Sequence, residues 1–352
     1  MNNIHTTIVL SFVAFGSACG EVTQEVQDTN EILEATVEET ILPNVAQMVV
    51  TAESLHRLGQ SFCMEPSDAG LENLRFAWSG GKRALKTIEV LGFGPYIDQD
   101  IDISRKLDNW PERGIGIEDL ISGNATLDTQ TLENINRADT STGYPALGYL
   151  LHSHTSNEEI IEEFTVDARR CEYLLSLTQI NLDVAERFEN AWFEQGEDYA
   201  SEIKKAGLGS SVFENEQEAI AVLLKGMIEL STKMSVIKLE QPLRMENEEA
   251  LEASYSENSL LDLSYNIEAI EDLYMGSSLS LSDYFISHGG EDLDQQIQDA
   301  IHNARMAIGS IPEPLSNALY ESPEEVMDAS VALDTLASLL RNNAEEFAQQ
   351  IQ

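Results

Sequence analysis

The sequence predicts an all-α protein. Apolar residues recur at helical spacing through most of its 352 residues, alternating runs that would mark strands are rare, and Gly and Pro breakers punctuate the periodic stretches. Val45, Met48, Val49, Ala52, Leu55 and Leu58 form a first stripe, ending near residues 59–66. A second helix is expected from Asp68 to Leu91 with Leu71, Leu74, Trp78 and Leu85 on one face, stopped by GFGP at 92–95. Residues 96–142 read as irregular, with short helices around Ile117–Ile121 and Leu127–Ile135. A helix entered at Pro145 follows, then one long helix from Glu158 to about Phe193. Beyond KKAGLGSS at 204–211, helices are expected at Glu214–Leu239, Leu260–Tyr274, Leu293–Ile308 and Pro323–Ala348. That Gly- and Ser-rich stretch divides the chain into a first domain, 41–205, and a second, 206–352.

Composition narrows the function classes. With 62 acidic and 20 basic residues the net charge is −42, which argues against nucleic acid as a partner, because phosphate contacts demand clustered Lys and Arg. A 42% apolar content is enough for a sizeable core. The charge is spread along the whole chain, the pattern of a solvated surface more than of a focused cation site.

Residues 1–18 form a short apolar segment that resembles a secretory signal. GSAC, ending at Cys19, resembles the lipoprotein box that makes the Cys the lipidated first residue, with Gly16 where that box usually has Leu. Cleavage after Ala18 is the alternative. Acyl chains on Cys19 would hold the protein on a membrane. Residues 19–40 read as an acidic tether. With Cys19 lipidated, Cys63 and Cys171 remain, either a disulfide of an oxidising compartment or two buried thiols.

Familiar catalytic patterns fail. No HExxH or G-x-S-x-G is present, and SGGK at 79–82 lacks the upstream Gly of a phosphate loop. DQDID at 98–102 starts like a calcium loop, but Ile103 replaces the turn Gly and Asn109 the closing Glu. A di-iron bundle needs two Glu-x-x-His pairs; Glu53/His56 fits and Asp299/His302 is a poor second. His152 and His154, beside Glu158 and Glu159, are the densest ligand-like cluster, although positions two apart share no helix face.

The order of several segments resembles the imelysin family, named for a secreted or surface protease and including iron-regulated periplasmic proteins. These are ILPNVAQMVV at 41–50, FC at 62–63, FAW at 76–78, GFGP, NWP at 109–111, TGYPALGYLL at 142–151, RRCEYL at 169–174, AW at 191–192, KLEQPLR at 238–244 and the run 251–276. The resemblance implies two helical bundles with a cleft between them and residence outside the cytoplasm. It also implies a metal motif, G-x-H-x-x-E, whose His and Glu share a helix face. Here Gly143 matches, but Pro145 stands at the His position and Gly148 at the Glu position, so neither supplies a ligand atom. Glu252, Ser254, Ser256 and Asn258 lie in a segment the family carries near its cleft; they either bind a polar ligand or hard cation there, or cap the helix starting near Ser259. Trp110 is a further cleft candidate or a packing residue.

Three readings follow. The first is a non-enzymatic binding protein on the periplasmic face of a bacterial membrane, an outer-membrane lipoprotein or a soluble periplasmic or secreted form. It would serve uptake of iron or another divalent metal and be held by its lipid, with an envelope protein as partner. The second is a metallopeptidase, for which no water-activating site is visible. The third is a structural or partner-binding lipoprotein.

Overall fold

The computed structural model describes residues 28–351 except 112, 135–140, 155 and 194. The signal segment 1–18, Cys19 and the first part of the expected tether lie outside the described residues. No strand occurs among the described residues, and none of their helices is long and apolar enough to cross a membrane.

The chain enters through α1 (Thr29–Ala35), which continues through a wide π-type turn, Thr36–Ile41, into α2 (Leu42–Met64). This corrects the tether reading for 29–40: Ile32, Leu33, Val37 and Ile41 form a helical stripe and are buried in the core. Their spacing was masked by the acidic residues on the outer face.

α3 (Asp68–Ile88) starts at Ser67, whose side chain accepts from the Gly70 amide. Its stripe of Leu71, Leu74, Trp78 and Leu85 is buried as the spacing predicts. α4 (Gly143–His152) holds most of TGYPALGYLL, with Gly143, Pro145 and Gly148. The expected long helix breaks in two, α5 (Asn157–Val166) and α6 (Ala168–Trp192). Asp167 between them is extended, and its carboxylate caps the Arg169 amide, so an N-cap interrupts a continuous apolar pattern. Cys63, at the end of α2, is bonded to Cys171 in the first turn of α6, with Cα atoms 5.6 Å apart.

Past the turn at 205–215 come α7 (Glu216–Thr232), which runs on through a π segment, Lys233–Glu240, then α8 (Ser259–Met275), α9 (Glu291–Ser310) and α10 (Pro323–Leu339). α2 packs on α3 and α6, while α10 packs on α7 and α9. α3 packs on α8, joining the first group of helices to the second, and one continuous set of buried apolar side chains runs through both.

Candidate functional site

The motif helix is built for packing. Gly143 has φ +75°, and a Cβ there would overlap the Leu107 carbonyl, to which the Tyr144 amide donates at 2.9 Å. Only glycine suits that backbone at that distance. Pro145 occupies the first turn of α4, where its missing N–H is not needed. Gly148 faces the Trp78 indole; an added Cβ would sit 3.1 Å from the ring. Trp78 is fixed in that place, its Nε1–H donating to the Tyr144 carbonyl at 2.9 Å. The indole thus fills the space beside Gly148.

The two histidines at the end of this helix part company. His152 lies tilted on the Trp78 ring with centroids 5.1 Å apart, and its Nε2 is buried with no hydrogen-bond partner. Burial, aided by the Arg75 charge, pushes the His152 imidazole down to about 4. His154 instead pairs with Glu163 at 2.9 Å. Among the described residues neither belongs to a cluster of three or more potential ligands. Neither histidine of the other two pairs, His56 or His302, joins such a cluster either.

Among the described residues one such cluster exists, and sequence reasoning reached only one of its members. Glu89, Asp108 and Glu252 bring carboxylate oxygens within 4.8 Å of one another, fully inside the protein. Glu89 follows the end of α3, Asp108 lies in the irregular stretch before α4, and Glu252 precedes α8. Lysines fill the space between them. Lys86 Nζ is 2.7 Å from Asp108 and 3.3 Å from Glu89, and also contacts Glu252. Lys238 Nζ bridges Glu89 and Glu252 at 2.9 Å each. Lys233 reaches Glu89 at 2.6 Å and Asp108 at 3.4 Å from the more open side. Lys82 pairs with Asp262 one turn along, and Asn266 links Lys238, Glu89 and the Lys86 carbonyl. Four ammonium groups therefore face four carboxylates, and the assembly is neutral.

The electrostatics agree with that count. Burial would raise Glu89 and Glu252, but the surrounding lysines outweigh it and hold both below the usual carboxylate range. Burial would likewise lower Lys86; Asp108, Glu252 and Glu89 override it and raise the ammonium well above its ordinary value. Burial is stronger than pairing at two members: Asp108 is raised, and Asp262 is pushed up to about 6 by burial, against the Lys82 charge and with a smaller push from Glu252. Both partners of the Lys82–Asp262 pair are raised, and both remain charged at neutral pH. Each carboxylate of the cluster is thus already ion-paired with protein cations, Glu252 through charge alone, since neither of its oxygens accepts a hydrogen bond. A divalent ion would have to expel the ammonium groups of Lys86 and Lys233, whose protons are held unusually tightly, and that of Lys238 between Glu89 and Glu252, so the residues present do not fit a resident metal.

This arrangement also revises Glu252. Its carboxylate, 3% exposed, neither caps α8 nor lines a cleft; it belongs to the ion network. Ser256 makes no cap bond either, its Oγ being buried without a partner, and Asn258 stands at the N-cap of α8 with no side-chain bond.

Trp110 and Ser254 do meet, in an open cavity of about 1220 Å³. Its lining includes Trp110, Arg113, Ile115 and Asp119 from one stretch and Ile237, Met245, Glu249 and Ser254 from another. The motif helix supports its wall: Tyr149 of α4 packs edge-on against Tyr255 at 4.8 Å and donates to Glu118 at 2.9 Å. Gly114 lies between those rings, where a Cβ would strike both.

The comparisons with known proteins agree with this frame. The family model described as imelysin matches residues 41–342. The chain belongs to the imelysin family. Two solved structures share its fold. One is a putative iron-regulated protein A precursor from Parabacteroides distasonis ATCC 8503, with TM-score 0.74 and 22% identity, over 91% of this chain and 95% of that one. The other is an imelysin-like protein from Psychrobacter arcticum 273-4, with TM-score 0.73 and 20% identity, over 91% and 96%. None of the curated proteins matches the sequence.

A signal for the ion network was present in the sequence. Lys82 and Lys86 follow Trp78 at intervals of four, and Glu89 follows Leu85 likewise, so charges occupy the apolar stripe of α3. Asp262 and Asn266 do the same beside Leu263 and Ile267 of α8.

Proposed function

We propose that this imelysin-family protein is a non-enzymatic binding protein of the bacterial envelope, acting through a ligand or partner and not through a metal at the family's motif. The observation that carries the reading is that Glu89, Asp108 and Glu252 are each already ion-paired with lysine ammonium groups. Pro145 and Gly148 contribute no side-chain ligand, so these two positions offer nothing to activate water for peptide hydrolysis. The name of the Parabacteroides relative supports a link to iron-responsive physiology. The apolar segment ending at Cys19 supports export and lipid anchoring at the periplasmic face of a membrane. The division into two helical domains at 205/206 fits the same reading, with the cavity between segments of both.

The test is calorimetry on the chelator-stripped protein with ferric, ferrous, zinc and calcium ions. Weak, salt-screened heats alone are expected. One tight, stoichiometric metal would overturn the non-metal reading and reopen the metallopeptidase.

A further inference from the structure

The open cavity has a composition that selects its occupant. Its apolar lining includes Trp110, Ile115, Ile237 and Met245, of which Ile115 and Met245 are 81% and 56% exposed. Large apolar side chains left in water beside a concave surface mark contact with another molecule. The charge around them is one-sided: Asp119, Glu248, Glu249 and Glu257 line the cavity against Arg113 as its single basic side chain. None of those four acids is in an ion pair among the described residues, unlike the acids of the buried network.

We propose that this cavity is a docking groove for an extended segment of another envelope protein, one that alternates Lys or Arg with large apolar residues. Its apolar side chains enter between Trp110, Ile115, Ile237 and Met245, and its basic ones meet Glu248, Glu249 and Glu257. The volume, about 1220 Å³, exceeds that of a site for one small molecule and suits several consecutive residues of a chain. Charge complementarity picks the sign of the partner, because an acidic or neutral segment would meet unpaired carboxylates across the groove. The inference gives the family's altered motif helix a task. Through Tyr149, packed on Tyr255 and bonded to Glu118, α4 braces the groove wall. It rests on the binding-protein reading and names the class of partner.

The experiment uses three labelled octapeptides with the whole protein: alternating Lys-Leu, alternating Glu-Leu and alternating Lys-Gly. Fluorescence anisotropy at about 0.15 M salt limits the contribution of exposed charge. Saturable binding of Lys-Leu is expected, at least tenfold tighter than either other peptide, and weakened at least tenfold by combined Glu248→Lys and Glu249→Lys substitution. Ile115→Ser should weaken it by a similar factor at unchanged thermal midpoint. Equal binding of Lys-Leu and Lys-Gly would overturn the proposal, as would binding indifferent to both sets of substitutions or no binding at all. None of those results touches the non-metal reading, which falls only to the metal titration.

Discussion

The Trp78 indole lies against Gly148 and donates its Nε1–H to the Tyr144 carbonyl, so one side chain both fills and bolts down the helix where the family motif holds its ligands. Restoring the family's acid by Gly148→Glu would force a carboxylate into a buried, aromatic contact with no cation assigned to it. A loss of about 3 kcal/mol or more is expected in urea unfolding, in line with the burial of an unpaired charge.

Gly143 is required for a different reason. Its φ of +75° and the Leu107 carbonyl leave no room for a Cβ. Gly143→Ala should destabilise by about 2–3 kcal/mol through strain and displaced backbone, read as a lower unfolding midpoint with an unchanged denaturant slope.

Breaking the ion network should be costly at neutral pH. Lys86→Met removes a cation shared by Asp108, Glu89 and Glu252, and about 3–5 kcal/mol is expected to be lost. The pH dependence has a definite sign. In the wild type, Glu89 and Glu252 are held below their ordinary values, so their contribution is present above about 4.5 and fades as pH falls through the folded-state values. In the variant the same carboxylates lose a cation and take up protons at higher pH. The gap between the two proteins should therefore narrow between pH 7 and pH 5 in paired unfolding curves.

His152 titrates in the opposite sense from a paired histidine. Its folded-state value of about 4 lies below the ordinary 6.5, so on acidification the unfolded chain binds the proton first. Stability should fall between pH 6.5 and 4 by on the order of 2 kcal/mol from this residue. His152→Phe should flatten that part of the profile. A profile identical in both proteins would show that His152 is not held neutral.

The disulfide between Cys63 and Cys171 spans 108 residues of sequence. Replacing both by Ser should cost about 3–5 kcal/mol in the chain-entropy picture, and reductant should shift the wild type to the same midpoint as the variant.

The helices were legible because their apolar stripes repeat at 3.6 residues, as in Leu71, Leu74, Trp78 and Leu85. Two features escaped for physical reasons. The Asp167 cap splits α5 from α6 without interrupting the apolar period, and Ile32, Leu33 and Val37 were outvoted by the acids on the outer face of α1. At the site, Pro145 and Gly148 offer no side-chain ligand, and both sit in a packed helix. The network was not assembled from sequence, since Lys86, Asp108, Lys238 and Glu252 lie on four segments whose meeting depends on tertiary packing. Charges placed in the α3 stripe were the one local sign of it.

The central claim is that protein ammonium groups occupy the place a metal ion would need among Glu89, Asp108 and Glu252. The most direct measurement is nitrogen-15 NMR of the lysine side chains in chelator-stripped protein, with and without one equivalent of manganous ion. Slowly exchanging ammonium signals from Lys82, Lys86 and Lys238, unbroadened by manganese, are the expected result. Their selective disappearance at one equivalent would place a metal in the cluster and contradict the claim.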